Sequence, residues 1–397
     1  MILTVVMVVI TVCIVWINPS EEKLFNHYET KCYTNEPARL TFPQKSDAFI
    51  QFKNFKNKFR FPYVIYADFE CVLEDYSDEN ITDEMKTASY QKHKPCGYCY
   101  YVVDQYNVLP KKPHLYRGEN CIQHFLKSIF DTKSEIQRVL YTNNPIIMSN
   151  EDTISYNKAG KCHICNGFFD ENNDMVKVKD HDHYTGKYIG GAHNKCNLAR
   201  SFSKTKIPVF FHNSQGYDSH FIIQEIADYK FEVDESKTDD EPNKINIEII
   251  PKTEEKYITY SFKNLQFKDS FCFMASSLDS LVKNLRNDTQ YDLSNFKNTI
   301  KTFQDKYPKI SDDECKLIIR KGVYPYEYMK DFNRFEENKL PQIEMFYSKL
   351  NNANIDEKDY KHAINVWNTL KIKNMGEYHD FLFIIRRYAS DRCIWKF

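Results

Sequence analysis

The feature that most constrains this chain is a set of Cys and His residues with the spacing of a zinc site. The set consists of Cys162-x2-Cys165 and His193-x2-Cys196. Short pairs of this kind hold tetrahedral zinc in many small modules, and the alternative is a group of buried side chains without a metal. Between the pairs the chain reads Asp-His-Asp-His at residues 180–183, which is more ionisable chemistry than a structural zinc site requires. The pattern predicts a compact zinc-bound insert over residues 151–197.

Composition limits the class of protein further. The chain has 397 residues, a net charge of −1, 42% apolar residues and 27% charged residues, which is typical of a globular protein with about two or three domains. Because the net charge is close to zero, any contact with nucleic acid must come from local basic patches. The 12 Cys residues are scattered along the chain, which argues against a disulfide framework.

Strand-like and helix-like segments occur on both sides of the insert. The segment "PYVIYADFECVLE" reads as a strand that ends in acidic residues, and "IPVFFHNSQGYDSHFIIQEIAD" reads as strand, turn and helix. Roughly the last hundred residues read as mostly helical. This mixture indicates an α/β fold, so we predict an α/β domain over residues 61–150 and 198–380 that carries the insert.

Acidic residues end the first of these strands. Asp68 and Glu70 are two residues apart, and such positions in a strand share one face, which suits a divalent metal ion. The second strand delivers Asn213, Tyr217 and Asp218 at its end. We expect Asp218 to join the metal site and the Asn and Tyr side chains to hold a sugar or base. The alternatives are a solvated acidic edge and a turn with a packed aromatic ring.

These segments resemble the exonuclease motifs of protein-primed family B DNA polymerases, most closely those of Polinton/Maverick-type mobile elements. The resemblance is carried by "YADFEC", "FHNSQGYDSH", "KDSFCFMASSLDSLVKNL", "RKGVYPYEYM" and "MGEYHD", and it covers roughly residues 20–380. It implies an RNase H-like 3′–5′ exonuclease domain that uses Mg²⁺ or Mn²⁺ to hydrolyse single-stranded primer ends of DNA. It also implies a terminal priming protein as partner and a nuclear or cytoplasmic location.

The resemblance assigns a role to each matching residue. The metal ligands are Asp68, Glu70 and Asp218, the residues that hold the primer end are Asn213, Tyr217, Ser277 and Leu278, and Lys321 stabilises the scissile phosphate. Leu281 closes the Ser-Leu-x-x-apolar element that begins at Ser277. The alternatives are a helix cap for Ser277, a core position for Leu278 and an ordinary surface position for Lys321.

The third exonuclease motif departs from the family pattern. The family has Tyr and, four residues later, a metal-binding Asp, where this chain has Leu382 and Arg386. The final "DRCIWKF", read one base later with suitable codons, gives Ile-Asp-Val-Phe-Gly-Asn, close to the family's Ala-Asp-Val-Phe-Glu-Asn. We therefore interpret residues 381–397 as an aberrant tail after a frameshift. The palm motifs of the polymerase are missing from the sequence, and nucleotide addition is not expected from these residues.

The insert has a resemblance of its own, to the endonuclease VII branch of the His-Asn-His nucleases. By that resemblance Asp180 and Asn197 hold Mg²⁺, His181 is the general base and His183 assists. An imidazole suits the base role because its unperturbed pKa lies near neutrality. Polinton-type polymerases carry the same segment between their first two exonuclease motifs. Two departures are a His in place of a Cys at residue 193 and Ile189 where relatives often carry Arg.

The N-terminal segment has several interpretations. Residues 1–18 are apolar and just long enough to span a bilayer, so they are a membrane anchor, a buried strand or an artefact of a wrong start or reading frame. Residues 19–60 contain His27-x4-Cys32, which reads as a partial zinc-finger remnant followed by a linker.

Three functional interpretations remain open at this level. The first is the exonuclease portion of a protein-primed DNA polymerase, which ends before the palm. The second is a structure-selective His-Asn-His endonuclease centred on residues 160–197. The third is an inactive DNA-binding remnant.

Overall fold

The computed structural model describes most of the chain. It covers residues 21–32, 55–76, 91–170, 175–200, 202, 205–228, 247–286, 296, 300–301, 303–304, 311, 314, 317, 319–320 and 322–395, with side chains in the last helix as far as residue 385. The apolar segment 1–18 and Lys321 lie outside the described residues. Within the described residues, no helix combines the length and apolar character needed to cross a bilayer.

The chain divides into two compact units, residues 1–57 and 58–397. In the first unit the described residues form helix α1 (Glu21–His27), which a π-helical turn continues over Tyr28–Cys32. The predicted zinc-finger remnant therefore falls on a helical segment, and the His27 side chain is partly exposed.

The second unit contains the strands and the remaining helices. The strands are β1 (Tyr63–Asp75), β2 (Gln91–Asp104), β3 (His114–Arg117), β4 (Lys177–His181), β5 (Tyr188–His193), β6 (Ile207–Phe211), β7 (Glu248–Thr253), β8 (Lys256–Phe262) and β9 (Leu265–Asp269). The helices are α2 (Cys121–Leu140), α3 (Asn150–Lys158), α4 (Asn194–Ala199), α5 (Asp218–Asp228), α6 (Leu278–Arg286), α7 (Glu357–Thr369) and α8 (Met375–Trp395).

A seven-stranded mixed sheet with the order β3-β2-β1-β6-β9-β8-β7 organises this unit. Strand β6 pairs in parallel with β1 on one side and with β9 on the other, and the other neighbours are antiparallel. Helices pack on the sheet, so the predicted α/β class is confirmed at this level.

One face of the sheet is covered by α2 and α5. Alternate residues of β1, such as Ile65 and Phe69, point into this core because successive side chains of a strand lie on opposite faces. Helix α2 meets them with an apolar stripe at helical spacing that includes Ile122, Phe125 and Ile129. Asp68 and Glu70 alternate with these residues, and the strand pattern therefore places them on the other face.

The other face is covered by the C-terminal helices. Val72 of β1 shares a buried cluster with Tyr378 and Ile384 of α8, and Arg117 Nε lies 3.0 Å from Asp380 Oδ1, which fastens α8 to β3. Helix α8 continues through residue 381, the point of the predicted departure, and Phe381 is buried in the same cluster.

The insert joins α2 to β6 and lies in the same compact unit as the sheet. Its core is an antiparallel hairpin of β4 and β5, and α4 follows directly. Helix α3 precedes the hairpin and begins with a reciprocal capping box between Ser149 and Asp152. The contact to the sheet domain includes a hydrogen bond from the Tyr106 hydroxyl to Asp182 Oδ2, 2.9 Å long.

Replacing Phe125 with Ala should lower the free energy of unfolding by about 3–5 kcal/mol, because it leaves a cavity in the core. Phe125 is 0% exposed, and its ring lies 4.9 Å from that of Phe69 and 5.2 Å from that of Tyr98. Urea unfolding followed by circular dichroism measures the change. The control Phe168→Ala removes a ring that is 72% exposed and should cost less than about 1 kcal/mol. Equal losses for both variants would contradict the core position of Phe125.

Candidate metal centre and cleft

The four zinc-spaced residues meet at one point of the insert. One potential ligand atom from each of Cys162, Cys165, His193 and Cys196 lies within 4.8 Å of the others. Cys162 and His193 are buried, at 1% and 0% exposure. Hairpin strand β5 ends at His193 and helix α4 carries Cys196, while the first pair belongs to the loop before the hairpin. Three thiols and one imidazole can therefore hold a metal ion such as zinc.

Hydrogen bonds around the cluster orient its ligands. His193 Nε2 donates to the carbonyl oxygen of Phe168 over 2.9 Å, which leaves Nδ1 as the ligand atom. That Nδ1 lies 3.3 Å from Cys165 Sγ and 3.8 Å from Cys196 Sγ. The backbone N–H of His193 donates to Cys162 Sγ over 3.4 Å. The protein thus fixes the imidazole tautomer that a metal ion needs.

Asp180, a predicted Mg²⁺ ligand of the insert, is committed to protein partners. It is 1% exposed, and its Oδ2 accepts from His163 Nε2 at 2.7 Å and from Arg200 Nη1 at 2.9 Å. Burial raises the pKa of Asp180, but these hydrogen bonds and the Arg200 charge outweigh burial and hold the pKa below its usual value. The Asp180 carboxylate is therefore ionised, and the Arg200 guanidinium already balances its charge.

The other predicted His-Asn-His residues lie together. His181, His183 and Asn197 line, with Asp180, a small cavity of about 60 Å³ between the insert and the sheet domain. The two imidazole centroids are 4.8 Å apart, and His181 Nε2 lies 3.3 Å from the carbonyl oxygen of Asn144. Burial and the neighbouring His181 lower the pKa of His183, which favours its neutral form at neutral pH. The structure thus brings this set of predicted residues together.

A second and larger cavity, called the cleft below, lies on the second face of the sheet and measures about 730 Å³. It is lined by four predicted residues of the exonuclease set: Asp68, Asn213, Ser277 and Leu278. Leu382, at the position of the family's Tyr, and Arg320 also line it. Much of the remaining wall is apolar and includes Val282 and Ile385.

The strand register explains why these residues meet. Tyr66 of β1 is level with Phe210 of β6, and Phe210 is level with Lys268 of β9. Two residues further along parallel strands, Asp68, His212 and Ser270 come to the same level. The carboxyl ends of β6 and β9 therefore open beside Asp68, as ligand sites in α/β sheets do.

Asp269 and its neighbour Ser270 hold the cleft in shape. The buried carboxylate of Asp269 accepts backbone N–H groups from Asn213 at 2.7 Å, Gln215 at 3.1 Å and Phe271 at 2.9 Å. The buried hydroxyl of Ser270 donates to the carbonyl oxygen of Phe211 at 2.9 Å. The turn after β6 is therefore tied to the end of β9, and Asn213 is fixed with a left-handed φ of 65°, which Asn tolerates better than most residues.

His212 and Ser277 complete the wall. The His212 ring lies 2.9 Å from Ser270 Oγ through Nδ1 and 3.0 Å from the carbonyl oxygen of Ser276 through Nε2. The Ser277 hydroxyl accepts the N–H of Ser280 at 3.2 Å and so caps α6. Ser277 is therefore both the N-cap residue of α6 and a lining residue of the cleft.

Glu70 and Asp218, the other two predicted acidic residues, are not among the residues that line the cleft with Asp68. Asp218 is 4% exposed at the start of α5. Burial raises the pKa of the Cys71 thiol, and Glu70 and Asp218 raise it further, so both carboxylates lie near that thiol. Among the described residues, the Cys/His set is the only group of three or more His, Cys, Asp or Glu side chains that is placed to hold a metal ion, and Asp68, Glu70 and Asp218 do not form such a group.

Tyr217 lies to one side of the cleft. Its hydroxyl is 2.7 Å from His93 Nδ1 of β2, and its ring packs against Phe221 with centroids 5.3 Å apart. Burial and the nearby Cys71 raise the pKa of Tyr217. The ring thus contacts His93 and Phe221 and is also 36% exposed, so its predicted role in holding a substrate stays a prediction.

Two residues discussed from the sequence are not described by the structure, and sequence reasoning missed several other residues of the two sites. Lys321 is not described, nor is the side chain of Arg386, although the residues on either side of 321 line the cleft. Sequence reasoning assigned no role to Asp269, Ser270 or Arg200, and the only signal for the first two was the "KDSF" motif.

Comparisons with protein-family models, curated proteins and solved structures give no match.

Replacing Cys196 with Ser should reduce the zinc content of the purified chain from about one ion to near zero, because a hydroxyl is a poor substitute for a thiolate on zinc. Inductively coupled plasma mass spectrometry measures the content. The matched control Cys272→Ser changes an exposed thiol outside the cluster and should leave zinc unchanged. A wild-type chain that retains no zinc when purified without chelator would overturn the assignment.

Proposed function

We propose that this chain is the exonuclease portion of a protein-primed family B DNA polymerase, which removes nucleotides from single-stranded 3′ ends of DNA. The observation that carries the proposal is the cleft, where Asp68, Asn213 and the pair Ser277–Leu278 meet although they come from three separate segments of the chain. These four were singled out together only by the resemblance to the exonuclease motifs. An unrelated fold would have no reason to collect them around one cavity.

The sheet topology supports an RNase H-like domain. Such a sheet has an antiparallel meander of three strands whose first strand also pairs in parallel with a later strand. Here β1, β2 and β3 form the meander, β6 lies parallel to β1, and β9 lies parallel to β6. Helix α2 leads from the meander to the insert and α5 follows β6, so helices connect the strands as that fold requires.

The donor chemistry suits Mg²⁺ or Mn²⁺. Asp68 and Glu70 share a face of β1, and Asp218 lies near Glu70 through their common neighbour Cys71. Carboxylate oxygens are the ligands that hard divalent ions prefer. Bound ions would activate water and stabilise the leaving oxygen of a phosphodiester. Because Glu70 and Asp218 do not line the cleft with Asp68, water or substrate oxygens would have to complete the set of metal ligands, and Mg²⁺ usually keeps several waters.

The side chains of the cleft supply binding and orientation. Asn213 and Ser277 offer an amide and a hydroxyl for the sugar and phosphate of the terminal nucleotide, and the apolar wall around Leu278 suits its base. Attack of water on phosphorus breaks the bond to the 3′ oxygen and releases a nucleoside 5′-monophosphate. The 3′ oxygen takes up a proton and becomes the new end of the strand.

The departures in the third motif predict a slow enzyme. Leu382 lines the cleft where the family has a Tyr, and it removes a hydroxyl that could orient water. Leu382 packs directly on Gly322, where a side chain would collide with it. Arg386 stands where the family has a metal-binding Asp. If these changes abolish hydrolysis completely, the chain is an inactive DNA-binding remnant.

Replacing Asp68 with Asn should slow Mg²⁺-dependent trimming of a single-stranded oligonucleotide by at least roughly a hundredfold, because a neutral amide is a poorer metal ligand and leaves the shape of the cleft unchanged. Gel analysis of a 5′-labelled oligonucleotide measures the rate. The control Asp131→Asn changes an exposed carboxylate on α2 and should leave the rate unchanged. Trimming by the Asp68 variant at the wild-type rate would refute the site, and no trimming by the wild type above an EDTA control would favour the inactive remnant.

A second candidate function is cutting of branched DNA by the insert. It is favoured by the cavity that gathers Asp180, His181, His183 and Asn197, and by the hairpin and helix that carry them. Two observations weigh against it. The cavity of about 60 Å³ is well below the roughly 300–1,000 Å³ of typical ligand sites. The Asp180 carboxylate is also paired with the Arg200 guanidinium and hydrogen-bonded to His163.

We expect the wild type to show no cleavage of a four-way junction above a metal-free control, because Asp180 is already paired. If the wild type does cut, the second function predicts that His181→Ala abolishes this cleavage, because the general base is lost. Denaturing gels with labelled junctions measure this. Asp68→Asn is the matched comparison, because it should leave junction cleavage unaffected. Cleavage by the wild type and by Asp68→Asn but not by His181→Ala would establish the second function.

A further inference from the structure

The cleft has an unusual charge distribution for a site that receives nucleic acid. Among its described lining residues, Asp68 and Asp279 are acidic, and Arg320 is the one Lys or Arg. Asp279 is paired with Lys283 one helical turn away, at 2.8 Å. A strand end brings phosphate charge into the cleft, and fixed positive charge is the usual counterpart of phosphate. Arg320 is therefore the described side chain best suited to that charge.

Helix α7 holds Arg320 in place. Arg320 Nη2 lies 2.5 Å from Asp359 Oδ1, and Asp359 sits in the first turn of α7, where its N–H is capped by Asp356 at 2.7 Å. Burial lowers the pKa of His362 on the next turn to about 4, and the Arg320 charge contributes to this shift. His362 is therefore neutral at neutral pH and does not repel the guanidinium.

The ion pair with Asp359 uses only part of the Arg320 guanidinium, and the planar group also suits a second anion. The bond to Asp359 uses one nitrogen, Nη2, whereas a guanidinium presents five N–H donors in a planar fork that matches phosphate geometry. The chain on both sides of Arg320 is anchored at the cleft: Ile319 is 3% exposed, and Gly322 packs on Leu382. The Arg320 backbone is therefore positioned by contacts that do not depend on its charge.

We infer that Arg320 binds a phosphate of the single-stranded nucleic acid end that occupies the cleft. This inference rests on the proposed exonuclease function and names the residue that holds the anionic backbone of its substrate. The resemblance gave a phosphate role to Lys321 and no role to Arg320. Asp359 acts as a positioning residue that presents the guanidinium.

Equilibrium binding of a fluorescein-labelled oligothymidylate tests the inference, with the full chain in EDTA so that no hydrolysis occurs. Fluorescence anisotropy at several KCl concentrations gives both Kd and its salt dependence. Arg320→Gln should weaken binding roughly ten- to hundredfold and reduce the slope of log Kd against log salt concentration by about 1. Arg320→Lys keeps the charge but loses the fork, so it should retain the slope and lose part of the affinity.

Two further variants separate phosphate binding from a structural role of the ion pair. Asp359→Asn removes the partner and keeps the guanidinium, so it should bind at least as tightly as wild type if Arg320 contacts phosphate. If Arg320 only supports α7, Asp359→Asn should be as damaging as Arg320→Gln. Arg334→Gln removes another paired Arg, at Glu337, that does not line the cleft, and should behave like wild type.

The outcomes separate this inference from the proposed function. Wild-type affinity and salt slope for Arg320→Gln would overturn the inference, and if the wild type still trims DNA the exonuclease proposal would stand. Arg320-dependent binding together with a wild type that does not trim would support the phosphate contact and refute hydrolysis. Thermal melting of each variant checks that changes in binding do not come from unfolding.

Discussion

The parallel pairing of β6 with β1 and with β9 is the constraint on which the rest of the candidate site depends. It sets Asp68 level with the ends of the two neighbouring strands, so three separate chain segments contribute to one cleft. The Asp269 carboxylate then binds the backbone of the turn after β6, at a net worth of about 1.5–3 kcal/mol for each hydrogen bond to a charged group. Register and this carboxylate together determine where Asn213 stands.

The insert follows a different physical principle, because it has little core of its own. Helix α3 has no buried residue, and β4 and β5 form only a two-stranded sheet, which is marginal without further support. A metal ion at the Cys/His cluster would supply that support, and the partly buried hydrogen bond from Tyr106 to Asp182 adds a link to the sheet domain. Residues of the insert and of the sheet domain together line the small cavity of about 60 Å³.

Sequence reasoning succeeded where the signal is local and failed where it depends on long-range pairing. The Cys/His spacing predicted the cluster, and the strand pattern of "YADFEC" predicted that Asp68 and Glu70 share a face. The roles of Asp269 and Arg200 follow only from neighbours far along the chain: Asp269 meets a turn 54–56 residues away. The contact of the Tyr217 hydroxyl with His93 on β2 was likewise not indicated by any sequence spacing, and the predicted role of Tyr217 in holding a substrate stays a prediction. Arg320 opens the quoted segment "RKGVYPYEYM", but sequence reasoning gave it no role.

Two buried carboxylates illustrate how surroundings decide between structural and metal chemistry. Asp180, 1% exposed, has a guanidinium and an imidazole on one oxygen, and removing such a partner usually costs about 3–5 kcal/mol. A divalent ion at Asp180 would have to displace Arg200 or lie beside its charge, which opposes metal binding. Asp68, 9% exposed, faces a cavity about twelve times larger, 730 Å³ against 60 Å³. Asp68 thus borders a space that Asp180 lacks, whereas the charge of Asp180 is balanced within the insert by Arg200.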